Sequence, residues 1–327
     1  MNWRILTIAA LGLALALYLV THVGLGAVYS AAVAVGWGGF AILCLCTLAM
    51  FVLLGAAWYI LPPPSDGRGV WTFVWARMVR DSAAEVLPFS QLGGLAIGVR
   101  AAILQGVPTP LASASAIVDV TTELLAQIAY VALGVAILSA RVERTSVVAS
   151  VTRASLVTLL LGAIAAVLFL AVQRYGQKIT VRIAAAVMRS AGEVTAAVGA
   201  SLDAIYRSPA RVGLSAALHF AGWIGNAVMA WIAFRLIGAG IDLASVLAIE
   251  SLVCAARSIA VIVPNALGVQ EGAYAVLTPL FGVGAELGLA VSFLKRARDI
   301  AVGVPILLIW QAAEGRRALA PGARKVS

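Results

Sequence analysis

The chain has 327 residues, of which 62% are hydrophobic and 11% charged, and its mean hydropathy is +1.03. A soluble domain is usually about 45–50% apolar and about 25% charged, so this composition excludes a soluble globular protein, a disordered chain and a compact nucleic-acid binder. The apolar runs are continuous, whereas the strands of an outer-membrane barrel alternate between apolar and polar residues. The sequence therefore predicts an all-α, polytopic transmembrane helix bundle that forms a single domain over residues 1–327.

The net charge of +9 reflects 23 Lys and Arg against 14 Asp and Glu. Basic residues concentrate in cytoplasmic loops, so orientation explains most of the excess, and anionic headgroups are additional partners. Placing residues 62–85, 174–211 and the tail inside predicts about eight spans in a bacterial inner membrane, with both termini cytoplasmic, if the 88–110 element does not fully cross. The odd number of cysteines, all in apolar runs, argues against a disulfide framework. No metal motif, cofactor motif or nucleotide-binding domain is present in the sequence.

Apolar runs divide the chain into predicted helices, beginning with residues 5–20, which we interpret as a retained first helix and not a signal peptide. A long second helix ends at the loop Pro62-Pro63-Pro64, because proline cannot continue a helix. Arg68, Arg77 and Arg80 follow this loop. The predicted spans are 5–20, 31–61, 112–139, 153–173, 212–237, 243–263 and 284–310, and a further apolar stretch that ends at Gly282 precedes the last of them.

Residues 176–207 differ from these spans because their apolar residues recur every three or four positions. The apolar stripe is Ile179, Ile183, Val187, Val194, Val198, Leu202 and Ile205. Charged residues lie outside the stripe, which is typical of an amphipathic helix lying on the membrane face or packing beside it.

Two segments rich in proline and glycine suggest an internal repeat. The interval from Pro88 to Gly106 equals the interval from Pro264 to Gly282. Two ordinary glycine-rich helices would explain this pattern, as would two related halves, 31–139 and 212–310, each with a broken or re-entrant segment. The predicted broken-helix backbone comprises Pro88, Gly93, Gly94, Pro264, Gly268 and Gly272.

Charges inside apolar runs are functional candidates because they are costly in a membrane. Asp119 and Glu123 share one helix face and could carry acid–base chemistry, bind a cation, or pair structurally with Arg100. Glu250 and Arg257 share a face across two turns. The lone His22 and His219 are more typical of packed residues than of catalytic ones.

A basic run interrupts the last apolar segment at residues 295–299. These side chains line a cavity, pair with the upstream acids, or mark where the helix begins at an interface. A basic cluster in a hydrated cavity would suit an anionic lipid headgroup or pyrophosphate. The candidate lipid or cavity residues are Arg100, Asp119, Glu123, Glu250, Arg257, Gln270, Glu271, Lys295, Arg296, Arg298 and Asp299.

The pattern Pro264-x-x-x-Gly268-x-x-Glu271, followed by Gly282 and the basic run, resembles the lysylphosphatidylglycerol synthase transmembrane, or flippase-like, family. Leu87 to Gly94, with Arg100, Asp119 and Glu123, is similar to that family's upstream element, although Gly94 stands where the family pattern has a glutamate. The stretch EVLPFSQLGG is most similar to the hopanoid-biosynthesis-associated branch.

This resemblance implies a protein that binds and translocates or transfers a hopanoid, another isoprenoid or a phospholipid without ATP hydrolysis. Its expected partners are membrane lipids and other lipid-synthesis or transport proteins, and nucleic acid is not among them. Two alternatives are a membrane-embedded enzyme of isoprenoid-lipid metabolism, using Asp119, Glu123 or Glu271, and a scaffold for hopanoid-synthesis enzymes. The family's soluble aminoacyl-transferase domain is not recognisable, so we expect no lipid lysinylation by this chain alone.

Overall fold

The computed structural model describes residues 33–63, 69–87, 91–143, 145–187, 189–259, 266 and 268–319, and these residues form helices without any strand. The helices are α1 Trp37–Tyr59, α2 Val70–Val86, α3 Gln91–Leu104, α4 Thr109–Arg141, α5 Ser146–Val187, α6 Arg189–Tyr206, α7 Pro209–Leu236, α8 Leu243–Ile259, α9 Val269–Leu280 and α10 Ala285–Leu319. This confirms the prediction of an all-α bundle. The predicted helix 5–20, Pro88 and Pro264 lie outside the described residues.

Four of the described helices are long and apolar enough to cross a membrane. They are α1, α4, the Ser146–Ala171 part of α5, and α7. α8 has 17 residues, and α10 carries the charged run of residues 295–299. The protein is thus an integral, multi-pass membrane protein.

α5 corrects one predicted boundary. The sequence suggested a span over 153–173 and a separate amphipathic helix over 176–207, but α5 runs without interruption from Ser146 to Val187. Its 42 residues extend about 63 Å at 1.5 Å per residue, twice the roughly 30 Å of a bilayer's hydrocarbon core. The change from apolar to amphipathic composition therefore falls within one helix and does not mark a helix end. The following helix, α6, buries Leu202 and Ile205 in a cluster with Val118 of α4.

Two three-helix units, α2–α3–α4 and α8–α9–α10, have the same arrangement along the chain. The short middle helices end at Leu104 and Leu280, and the long helices that follow begin at Thr109 and Ala285. The number of residues between Leu104 and Leu280 equals the number between Thr109 and Ala285. At both turns a glycine has positive φ (Gly106, 90°; Gly282, 76°), and the next residue's N–H bonds the carbonyl five residues earlier.

This helix ending is common, but the equal spacing through helix, turn and helix favours related units. The halves 31–139 and 212–310 stay a prediction.

The short helices are interrupted elements, as the proline and glycine pattern predicted. α3 and α9, with 14 and 12 residues, are about 21 and 18 Å long, so neither crosses a bilayer alone. Before α9, Ala266 and Gly268 have positive φ angles of 45° and 80°. These angles leave the helical region, so the backbone is not helical where α9 begins.

The other described glycines predicted to break a helix are helical, since Gly93 and Gly94 lie in α3 and Gly272 lies in α9. A Cβ on Gly94 would lie 2.8 Å from the backbone oxygen of Arg80, and one on Gly98 would lie 2.6 Å from the Cβ of Arg80. Gly94 and Gly98 thus let α3 approach α2 closely, as small residues four apart do in membrane helix pairs. The same crowding leaves no room for a longer side chain at position 94.

Candidate functional site: two clusters of buried charge

The first cluster joins α2, α4 and α7. Arg77 and Arg80, which follow the predicted loop at Pro62 to Pro64, lie on α2 with their side chains buried. Their spacing of three residues puts them on one face of α2, opposite the face of α4 that carries Asp119 and Glu123.

Both arginines contact both carboxylates. Arg80 donates to Asp119 at 2.6 Å and to Glu123 at 2.7 Å, while Arg77 donates to the same two residues at 3.1 and 2.7 Å. Arg77 also donates to Asp81, one turn further along α2, at 2.6 Å. These are charge-assisted hydrogen bonds, which are stronger than bonds between neutral groups.

The predicted pairing of Arg100 with Asp119 and Glu123 is wrong. Arg100 lies on α3, its side chain is 53% exposed, and it pairs with Glu314 of α10 at 2.8 Å. Arg100 therefore lies apart from the buried cluster.

His219 of α7 completes the first cluster. Its Nε2 lies 2.9 Å from Oδ1 of Asp119, and the residue is 1% exposed. This lone histidine was predicted to be a packed residue, and it is indeed buried. Nδ1 has no hydrogen-bond partner among the described residues.

The second cluster joins α8, α9 and α10. Lys295 lies 2.5 Å from Glu250 and 2.9 Å from the Tyr274 hydroxyl, which itself donates to Glu250. All three side chains are buried. Each member therefore has a partner in the interior, which offsets part of the cost of removing two charges from water.

Glu271 lies at the start of α9, where it makes two kinds of contact. One oxygen lies 2.5 Å from Nε of Arg296, and the other accepts a hydrogen bond from the backbone N–H of Gly268 at 2.8 Å. Glu271 thus stabilises the positive-φ turn and links it to α10. Because an unpartnered charge is costly in a membrane, Glu271 was expected to pair with the basic run of residues 295–299. It pairs with Arg296 of that run.

A further chain of contacts connects α2 with α9. Arg257 of α8 donates to Glu85 of α2 at 2.9 Å and to the side-chain oxygen of Gln270 at 3.0 Å. Gln270 in turn donates to Ser292 of α10 at 2.9 Å. The N-terminal turn of α9 is therefore held by polar contacts from α8 and α10.

The charged run of α10 is divided among several partners. Lys295 contacts Glu250, Arg296 contacts Glu271, and Arg298 contacts its neighbour Asp299 at 2.6 Å. Because α10 begins at Ala285, well before this run, the charges do not mark the start of a helix at the interface. The structure instead supports the interpretation in which they pair inside the bundle.

A comparison with protein families identifies the chain. The model of the family described as the lysylphosphatidylglycerol synthase TM region matches residues 4–306. The chain belongs to this family. No match was found among curated proteins or among solved structures. The hopanoid-associated branch stays a prediction.

Membership of the lysylphosphatidylglycerol synthase TM family indicates an integral membrane protein with a lipid-related function. In this family member an apolar groove of about 290 Å³ opens between α5, α8 and α9. Its lining includes Thr158, Leu252, Ile259, Val269, Gly272 and Val276. Val269 and Gly272 flank Gln270 and Glu271 in the sequence, so the groove runs beside the polar end of α9.

The two clusters of this family member occupy corresponding positions with opposite charge. Asp119 lies as far from the first residue of α4 as Lys295 lies from the first residue of α10. The two residues therefore occupy the same position in their helices. Asp119 contacts basic residues of α2, whereas Lys295 contacts an acidic residue of α8.

Four residues of these clusters were not among the predicted site residues: Arg77, Arg80, Glu85 and Tyr274. A search for basic residues at helical spacing to partner Asp119 and Glu123 would have found the two arginines. Tyr274 has no such signal, because one tyrosine in an apolar run is unexceptional.

An exposed ion pair contrasts with these clusters. Arg141 at the end of α4 lies 2.7 Å from Asp242 in the α7–α8 loop, and their side chains are 47% and 56% exposed. A hydrogen bond from the Ser245 hydroxyl lowers the pKa of Asp242. Water screens this pair, so it serves as a control for the buried pairs.

Proposed function

We propose that this protein binds a membrane lipid and moves it between leaflets, or transfers it to a partner, without ATP hydrolysis. This proposal is supported by the structure around the start of α9, where the polar turn at Gly268 and Glu271 lies beside the apolar groove between α5, α8 and α9. The proposed lipids are hopanoids, other isoprenoids or phospholipids, and the proposed location is a bacterial inner membrane.

A lipid needs two environments in its binding site, one for the headgroup and one for the chain. Arg257, Arg296 and Glu271 surround the polar end of α9, and their side chains are partly exposed, at 15–27%. The groove supplies the apolar surface beside them. Interrupted helices with freed backbone groups are also a common feature of transporter substrate sites.

We expect Glu271→Gln to slow lipid movement about tenfold or more. The amide keeps the shape of the side chain but loses the charge that pairs with Arg296 at 2.5 Å and fixes the Gly268 turn. A hydrogen bond to a charged group contributes about 1.5–3 kcal/mol, which corresponds to roughly a tenfold change or more. The measurement is the leaflet exchange of fluorescent lipids in liposomes that contain the purified protein.

Arg141→Gln is the control, because it removes an exposed pair far from α9 in the sequence. It should exchange lipid at the wild-type rate. A wild-type rate for Glu271→Gln at equal protein content would reject this site. Formation of a new lipid product without exchange would instead favour a membrane enzyme, and neither exchange nor product would favour a scaffold.

We also propose that α6 and the end of α5 face the cytoplasm, because residues 174–211 hold many of the loop Lys and Arg. In a variant with its three native cysteines replaced by Ala, Arg207→Cys should resist an impermeant thiol reagent added to spheroplasts. Ser146→Cys, at the other end of the α5 span, should react rapidly. The reverse labelling pattern would overturn the orientation.

A further inference from the structure

The two clusters differ in their balance of charge. The second cluster belongs to a larger balanced set of paired charges on α8, α9 and α10 together with Glu85 of α2. This set has four basic residues and four acidic ones: Arg257, Lys295, Arg296 and Arg298, and Glu85, Glu250, Glu271 and Asp299. In the first cluster, Arg77 and Arg80 face Asp81, Asp119 and Glu123. With a neutral His219 the first cluster carries one uncompensated negative charge, which is costly in a buried site.

The atoms of the first cluster indicate where a compensating charge would bind. Oδ1 of Asp119 contacts His219, and Oδ2 contacts both arginines. Both oxygens of Glu123 also accept hydrogen bonds from the arginines. No oxygen of these two carboxylates lacks a partner, so a metal cation would have to displace existing bonds.

Among the buried side-chain atoms of this cluster, Nδ1 of His219 is the one without a hydrogen-bond partner in the part of the chain that the structure describes. An ionised carboxylate only accepts hydrogen bonds, so Nε2 of His219 must carry the hydrogen that faces Asp119. Nδ1 is then a buried acceptor, and it has no donor among the described residues. A proton on Nδ1 would convert the ring to imidazolium and neutralise the cluster.

The charged groups around His219 come from few elements. α4 presents Asp119 and Glu123, and behind them α2 presents Arg77, Arg80 and Asp81. α1 carries no Asp, Glu, Lys, Arg or His between Trp37 and Tyr59. On α6, Asp203 is exposed. Charged residues of α8 and α10 pair with one another, as Glu250 does with Lys295 and Arg298 does with Asp299. The basic residues of α7, Arg211 and Arg235, lie near its two ends.

We propose that the first cluster is a proton-binding site in which one proton from water binds Nδ1 of His219, and that its binding and release drive lipid movement. The coupling rests on the proposed function, whereas the proton binding does not. A histidine is suited to this role because its charge changes near physiological pH. Lipid movement of this kind would draw on the proton gradient and not on ATP hydrolysis.

The proton site is tested by nitrogen NMR of histidine. The chain has two histidines, so His22→Gln leaves His219 as the single source of signal in protein labelled with ¹⁵N-histidine. We expect its ring to change from imidazole to imidazolium between about pH 8 and pH 5. A ring that stays in one state across this range overturns the proposal.

The coupling is tested by lipid exchange in liposomes with an imposed pH gradient. The gradient should accelerate the wild-type protein several-fold, whereas His219→Gln, whose amide still donates to Asp119 but cannot take up a proton, should exchange lipid at one rate with or without it. Titration of His219 without any response of the wild-type rate would overturn the coupling and leave the proton site. No exchange by the wild type under any condition would overturn the proposed function, and NMR would still decide the proton site.

Discussion

Lys295→Met is expected to lower the free energy of unfolding by about 3–5 kcal/mol, the usual cost of removing one partner from a buried ion pair. Glu250 would stay buried with an uncompensated charge, since Lys295 lies 2.5 Å from it and the residue is 3% exposed. The measurement is denaturation of the purified protein in detergent, followed by tryptophan fluorescence.

The double variant Glu250→Gln with Lys295→Met should recover most of this loss. Replacing both members of a buried pair by neutral groups of similar size is often close to neutral, and the glutamine can still accept from Tyr274. A double variant as unstable as the single one would show that the pair acts through shape and not through charge.

Arg80→Met is expected to destabilise the protein by a similar amount, about 3–5 kcal/mol. Arg80 bonds both Asp119 and Glu123, so its loss leaves Arg77 alone against three carboxylates. The same denaturation experiment measures the effect.

Arg141→Met is the matched control for Arg80→Met, because it removes the same side chain from the exposed pair with Asp242. Exposed pairs contribute about 0–1 kcal/mol, so this variant should unfold almost as the wild type does. Equal losses in the two variants would contradict the importance of the buried cluster.

The features predicted from sequence are those that local composition determines. Long apolar runs indicated the helical membrane class, and the spacing of Pro88 to Gly106 and of Pro264 to Gly282 indicated the interrupted helices. The pairing of Glu271 with Arg296 was anticipated because unpartnered charges are costly within an apolar segment.

The features missed from sequence depend on contacts between distant residues. Arg77 is 42 residues from Asp119, and nothing local distinguishes a basic loop from a helix whose arginines have buried partners. Arg257 and Glu85 are 172 residues apart, so their pairing also requires the fold. The continuity of α5 was missed because a change of composition resembles a helix boundary.

The opposite charges at positions 119 and 295 bear on how the chain assembles during insertion. Two similar three-helix units could exchange parts, with α10 packing where α4 belongs. Such an exchange would place Lys295 against Arg77 and Arg80 in the bundle interior, and Asp119 against Glu250. Like charges in contact within a low-dielectric interior cost several kcal/mol, so each long helix is rejected by the wrong partner. The reversal of sign therefore favours the native packing of the two three-helix units over an exchanged one.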